Sequence, residues 1–273
     1  MRGPRGGPAG TQLIYGLHAV RAILSRHPER VLGLKILRNR EDSRAQEIES
    51  LAQRHGRAVE RVSAEALTRA LGDVVHQGIA AEISPLPPWS EDDLLAAIAN
   101  PSAASASAPL LLALDGVQDP HNLGACLRTA DACGALAVIV PRDRAAQLTG
   151  AARKVAAGAA ESTPVVPCTN LARTLDLLKQ AGVWAFGADA EAERNASEVD
   201  LTVAAVLVLG AEGRGLRQLT RQRCDGLVHL PRFGAVESLN VSVAAGMLLY
   251  EAVRQRSAAA GAGSDRNDRR SAR

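Results

Sequence analysis

Polar side chains gather beside glycines in three short stretches of the chain. The first is LDGVQDPHNLGACLRTADACG at 114–134. Gly116, Asp119, Pro120 and Asn122 predict a tight turn after a strand, with Asn122 placed to cap the next helix. Arg128 follows six residues on, about 240° round a helix, so it does not share a face with Asn122. An ion pair with Asp131 at i+3 is its structural alternative. The second stretch, LVLGAEGRGL at 207–216, places Gly210, Gly213 and Gly215 directly after a strand. These glycines let a backbone approach a ligand and expose N–H groups. Their order, G-x-x-G-x-G, is neither a dinucleotide fingerprint nor a P-loop. Glu212 among them is a carboxylate facing something other than core. Arg214, Arg217 and Arg221 form a basic stripe suited to phosphates, or a solvated helix face. The third, LPRFGAVESLNVSVAAGMLLYEAVRQR at 230–256, breaks at Pro231 and Gly234 and presents Arg232, Glu237, Ser238, Asn240 and Ser242 at the start of a helix. Ser or Asn at such a place is first a cap for unpaired backbone N–H groups.

Each stretch needs a strand before it and a helix after it. Short apolar runs at 110–114, 136–140, 183–187, 204–210 and 227–230 read as buried strands. They alternate with helices at 122–133, 144–157 and 171–181, the last capped by Asn170 and closed by Gly182. The final helix carries Val241, Ala245, Leu248, Leu249 and Val253 on one face. The pattern predicts an α/β domain at 109–256, with a mainly parallel sheet covered on both faces. Ligands of such sheets bind beyond the carboxyl ends of the strands, where all three polar stretches begin. Residues 11–85 predict a small α/β unit: helices at 17–26 and 43–56, with Ser43 as a cap, and strands at 31–38 and 78–84. In it Tyr15, His18 and the pair His76–Gln77 stand beside glycines, as a close ligand approach or as turn chemistry. Residues 86–108, rich in proline and then in small residues, read as a linker containing a short possible helix. Residues 1–10 and 257–273 read as disordered tails.

The formal charge of +3 over 273 residues overstates how basic the protein is. The two tails carry +2 each, which leaves −1 for residues 11–256. Any nucleic-acid surface must therefore come from local clusters. Aromatic residues are 2 % of the chain, too few for a base-stacking platform. Four cysteines lack CxxC spacing and read as buried thiols of a reducing cytoplasm rather than a zinc site. No metal-ligand cluster, membrane span or signal peptide is expected.

NLGACLRTADACG, GAEGRGL and SLNVSVAAG, in this order and at these separations, resemble the three motifs of the SpoU/TrmH family, RNA ribose 2′-O-methyltransferases of the SPOUT superfamily. IYGLHAVRAIL, VHQGIAA, DPHNLGACLRTADA, KVAAGAAE, NLAR and LTRQRCD are similar to its RlmB-type members, which methylate a guanosine ribose in bacterial large-subunit (23S) ribosomal RNA. The resemblance covers roughly residues 12–256. It implies a trefoil-knotted methyltransferase domain behind an N-terminal RNA-binding module resembling ribosomal protein L30. It implies S-adenosylmethionine as cofactor, a cytoplasmic homodimer with active sites at the subunit interface, and naked ribosomal RNA or an assembly intermediate as substrate. Gly210, Leu230 and Leu239 would contact the cofactor, largely through backbone. Asn122, Arg128, Glu212, Ser238 and Asn240 would form the catalytic constellation, with Glu212 and Asn240 holding each other. Glu237 departs from the family pattern, which has a small residue or Gln there. A transfer-RNA ribose methyltransferase and a catalytically silent RNA-binding protein are the alternatives.

Overall fold

The computed structural model describes residues 11–72, 74, 76–84, 89–100, 107–236 and 238–271. The expected N-terminal tail, residues 86–88 and 101–106 of the expected linker, Glu237 and the last two residues lie outside the described residues. The chain divides into two compact units: residues 1–87 with 156–162, and residues 88–155 with 163–273.

The first unit holds β1 (Gln12–Tyr15), α1 (Leu17–Arg26), β2 (Val31–Leu37), α2 (Ser43–Arg54), β3 (Val59–Val62), α3 (Ala64–Leu71) and β4 (Ile79–Ile83). Its mixed sheet runs β1-β4-β2-β3, with only β2–β3 parallel. Alternation along the strands sends Ile14, Leu34 and Ile36 to a core shared with Val20, Ile23 and Ile48, while Tyr15 and Leu37 pack with Leu67 and Leu71 on the other side. The cap of α2 is Asp42, not Ser43: its carboxylate accepts from the N–H groups of Arg44 and Ala45. A hydrogen bond from Arg40 at 2.7 Å, the largest influence on it, holds that carboxyl below its usual pKa. Of the residues singled out beside glycines, His76 and Gln77 make turn contacts, Tyr15 ends β1 and His18 lies in α1. Gln77 Oε1 accepts from the Leu17 N–H, the first amide of α1, and His76 Nδ1 from the Gly78 N–H. Segment 156–162 belongs to this unit through Arg30, which is 8 % exposed. Its guanidinium donates to the carbonyls of Ser84 and Glu161 and pairs with the Glu161 carboxylate at 3.4 Å.

The second unit holds α4 (Glu91–Ala99), β5 (Leu110–Asp115), α5 (Pro120–Ala132), β6 (Ala137–Pro141), α6 (Gly150–Ala156), β7 (Val165–Cys168), α7 (Leu171–Gln180), β8 (Trp184–Ala188), β9 (Arg194–Asn195), β10 (Ala205–Gly210), α8 (Gln218–Arg223), β11 (Gly226–His229) and α9 (Val241–Ser271). The sheet has seven strands rather than five, in the order β7-β6-β5-β10-β8-β11-β9, and every pairing is parallel. β5 is buried along its whole length, as a strand covered on both faces must be. Part of the expected linker is structure. The Ser90 capping box starts α4, and Leu94 of that helix joins the core with Leu111, Val166 and Leu175. On the other face α5 and α9 pack together, α5 against β6 and α9 against β10.

α9 runs well past the predicted end of its apolar face. The backbone of the expected tail continues as helix to Ser271, and the three alanines of 257–260 favour its first turn. Arg256 anchors this helix by donating to the carbonyls of Leu201, Val203, Ala108 and Pro109. No helix among the described residues is long and apolar enough to cross a membrane.

Burial pushes the thiols of Cys126 and Cys224 up to about 12 and that of Cys168 to about 11, and it raises Cys133 as well. At pH 8 a thiol of pKa 12 is about one ten-thousandth thiolate. In the native protein Cys126, Cys168 and Cys224 are therefore expected to resist Ellman's reagent for many minutes, and all four cysteines to react at once in denaturant. Prompt native labelling mapped to any of those three by mass spectrometry would contradict this packing.

Candidate active site

β5 and β10 are neighbours, and β10 and β11 flank β8, so the loops after these strands meet at one edge of the sheet. α5 begins two residues before the predicted cap. Asp119 is its N-cap, accepting the His121 N–H at 2.9 Å, and Pro120 takes the first helical position, where its missing N–H costs nothing. Asn122 thus sits inside the first turn, with its side chain free for other partners.

The loop after β10 folds tightly on itself. The Gly215 N–H donates to the Ala211 carbonyl at 2.9 Å, and Gly213 and Gly215 take φ of +73° and +64°. A Cβ on Gly210 would lie 2.0 Å from the Gly215 carbonyl carbon, so only glycine fits there. This fold turns Glu212 toward α5 and α9. Its Oε1 accepts from Asn122 Nδ2 at 3.0 Å and Asn240 Nδ2 at 2.8 Å, and Asn240 Nδ2 also donates to Asn122 Oδ1 at 3.0 Å. A hydrogen-bonded triangle results. Asn240 has a second task as the cap of α9: its Oδ1 accepts from the Ser242 N–H and hydroxyl at 2.9 and 2.6 Å. Cap and site residue are the same side chain, divided between its oxygen and its nitrogen.

Beside the triangle lies a cavity of about 750 Å³, within the range of small-molecule sites. Gly210, Leu230 and Leu239, the three residues expected to hold a cofactor, all line it, as do Glu212 and Ser238. Leu209 and Val228 give it apolar walls, while Asp189, Glu191 and Arg232 add charge. Nothing in the sequence reading pointed to Asp189 or Glu191; their position just after an apolar strand was the available signal. Arg128 is not drawn into the triangle. It is exposed on α5 and, among the described residues, makes no hydrogen bond or ion pair; Asp131 accepts instead from Thr163. The basic stripe is largely committed elsewhere. Of its three arginines, Arg217 pairs with Asp115 and Arg221 with Asp189. The role of Glu237 lies outside the described residues. Among those residues no group of His, Cys, Asp and Glu could hold a metal ion.

The model of the SpoU rRNA Methylase family matches residues 109–250, and that of the RNA 2′-O ribose methyltransferase substrate binding family matches residues 13–89. The chain is 52 % identical over 248 residues to the 23S rRNA (guanosine-2′-O-)-methyltransferase RlmB of Pseudomonas syringae pv. tomato, covering 90 % of this chain and 96 % of that one. It is 48 % identical over 247 residues to RlmB of Escherichia coli K12, covering 90 % and 100 %. Among solved structures it is similar to the SpoU methyltransferase AviRb from Streptomyces viridochromogenes in complex with AdoMet. There the TM-score is 0.69 at 27 % identity, over 91 % of each chain.

Serine is a good helix cap but has no second donor to offer the triangle. Asn240→Ser is therefore expected to keep a thermal midpoint close to that of the parent while turnover falls by about 10²-fold, the scale of a misplaced reacting group. Full turnover in that variant would separate the triangle from the chemistry.

Proposed function

The chain belongs to the SpoU rRNA methylase family, and from that premise we propose that it transfers a methyl group from S-adenosylmethionine to the ribose 2′-oxygen of a guanosine in 23S ribosomal RNA. The observation that carries this reading is the triangle of Asn122, Glu212 and Asn240 at the rim of a cavity lined by Gly210, Leu230 and Leu239. The cavity fits the cofactor: apolar walls suit a purine, the charged residues suit an amino-acid end, and the side-chain-free backbone at Gly210 permits close approach. When bound there, S-adenosylmethionine supplies an electrophilic methyl group on a sulfonium.

The residues around the cavity do the rest. A ribose hydroxyl is a weak nucleophile and must be held in line as its proton leaves. Three donors converge on Oε1 of Glu212, and Oε2 has no partner among the described residues, so it can accept from a substrate hydroxyl. Arg128 carries a guanidinium that makes no hydrogen bond or ion pair among the described residues, so it is available to substrate. It binds the phosphate next to the target ribose and biases the hydroxyl proton toward that phosphate. Ser238, on the cavity wall, contacts the target nucleotide. The unit of residues 11–85, matched by the substrate-binding model, grips the RNA, either naked or as an assembly intermediate, in the cytoplasm.

The family's dimer and trefoil knot form part of the proposal. Val243, Met247 and Tyr250 recur at i, i+4 and i+7 on α9 and are 51 %, 40 % and 65 % exposed, an apolar stripe that a second copy of the chain would cover. Tyr250→Asp is expected to shift the mass in light scattering from dimer to monomer; a parent protein that is monomeric at micromolar concentration would refute the dimer.

Tritium transfer from labelled S-adenosylmethionine to protein-free large-subunit RNA, with the product nucleotide mapped by mass spectrometry, tests the reaction. Label on a guanosine 2′-oxygen is expected, reduced about 10²-fold by Arg128→Ala. Label confined to transfer RNA would move the substrate, and RNA binding without label would make the protein a silent binder.

A further inference from the structure

Arg217 stands in a stripe that suggests a phosphate contact, yet its surroundings give it other work. Asp115 is the last residue of β5 and pairs in register with Gly210, the last residue of β10. Its side chain is fully buried. One carboxylate oxygen accepts the Arg217 N–H at 2.9 Å, tying the far end of the glycine loop back beside the strand it left. Among the described residues the other oxygen receives no hydrogen bond, and the Arg217 guanidinium stands 3.4 Å from it as counter-charge. Arg217 is the N-cap residue of α8, but its side chain does not cap that helix. It lies over Gly116, where a Cβ would stand 3.0 Å from its Nη2 and where φ is +81°. Gly116 opens the turn that leads to the Asp119 cap and to Asn122.

We propose that Arg217 is a positioning residue that, through Asp115, holds the glycine loop closed and in register with the loop before α5. It thereby sets the shape of the cofactor cavity rather than the grip on RNA. This rests on the cofactor reading above. The loop it closes, 210–217, carries both Gly210 on the cavity wall and Glu212 at the triangle. A buried carboxylate that loses its counter-charge is strongly unfavourable, so opening the loop is the easiest way for Asp115 to reach water once the guanidinium is gone.

The test uses the full-length protein and calorimetric titration with S-adenosylmethionine, alongside RNA binding measured as a function of salt. Arg217→Met should raise the cofactor Kd about tenfold or more, and KM for the cofactor with it, while leaving the slope of RNA affinity against salt unchanged. Arg217→Lys should recover part of the loss. Asp115→Asn combined with Arg217→Met should bind the cofactor more tightly than Arg217→Met alone, since the stranded charge is gone. This double variant also serves if the single one folds poorly. A phosphate contact would give the opposite pattern: parental cofactor affinity, weaker RNA binding and a salt slope reduced by about one. That pattern, or a double variant no better than the single, overturns the proposal. Failure of the parent protein itself to bind S-adenosylmethionine would overturn the cofactor reading instead.

Discussion

One carboxylate oxygen, Oε1 of Glu212, accepts hydrogen bonds from Asn122 on α5, from Asn240 and, at 3.5 Å, from the Val241 N–H at the start of α9. The rest of the catalytic unit is arranged around that convergence. An ionised carboxylate is stabilised by several donors at once and by a helix N-terminus, whose free N–H groups carry partial positive charge. Glu212 has both, because the glycine loop delivers it to the first turn of α9. The requirement is strict: the loop must be short and glycine-rich, α5 must start early enough to put Asn122 in its first turn, and α9 must begin immediately after Asn240. Each of these is a local decision of the sequence, and all three must agree for one oxygen to be satisfied.

The scaffold that permits this is almost wholly aliphatic. Leu, Val, Ile and Ala fill β5, β6 and β10 and the helices over them, so the carboxyl ends of the strands form a rigid rim on which polar loops can be irregular. Cys126 and Cys168 belong to that core and have raised thiol pKa values for the same reason that Leu112 has no exposed surface. Several charged residues around the rim are paired, Arg217 with Asp115 and Arg221 with Asp189, whereas Arg128 has no pair among the described residues.

Strands with two neighbours were legible in the sequence, and edge strands were not. β2, β4, β5, β6, β8, β10 and β11 all announce themselves as apolar runs, because each is buried between partners. β1, β3, β7 and β9 escaped notice, and each is the outermost strand of its sheet. An edge needs fewer apolar residues and tolerates proline, as Pro167 in β7 shows. The types of the site residues were legible too, since Asn122, Glu212 and Asn240 lie beside turn signals. Their direct bonding was less so: Asn122 and Asn240 are 118 residues apart in the chain, and periodicity carries no information across that distance. Arg217 and Arg221 were misjudged because helical spacing describes one element only, whereas the acids that neutralise them, Asp115 and Asp189, come from two different strand ends.

The anchoring of α9 at its start and again at Arg256 has a consequence for how this chain can change over evolutionary time. Asn240 fixes the helix start at the carboxyl edge of the sheet, and Arg256 fixes a point sixteen residues later, about 24 Å along the axis at 1.5 Å per residue. The intervening stretch acts as a ruler laid across the sheet. Substitutions along it change only what one face carries. Deleting or inserting a single residue would turn one anchor about 100° relative to the other, taking either the Asn240 amide from Glu212 or the Arg256 guanidinium from its carbonyls. Between these two points the exposed positions of the helix can change in composition but its length cannot change without breaking one anchor, whereas added or lost residues after Arg256 would disturb neither.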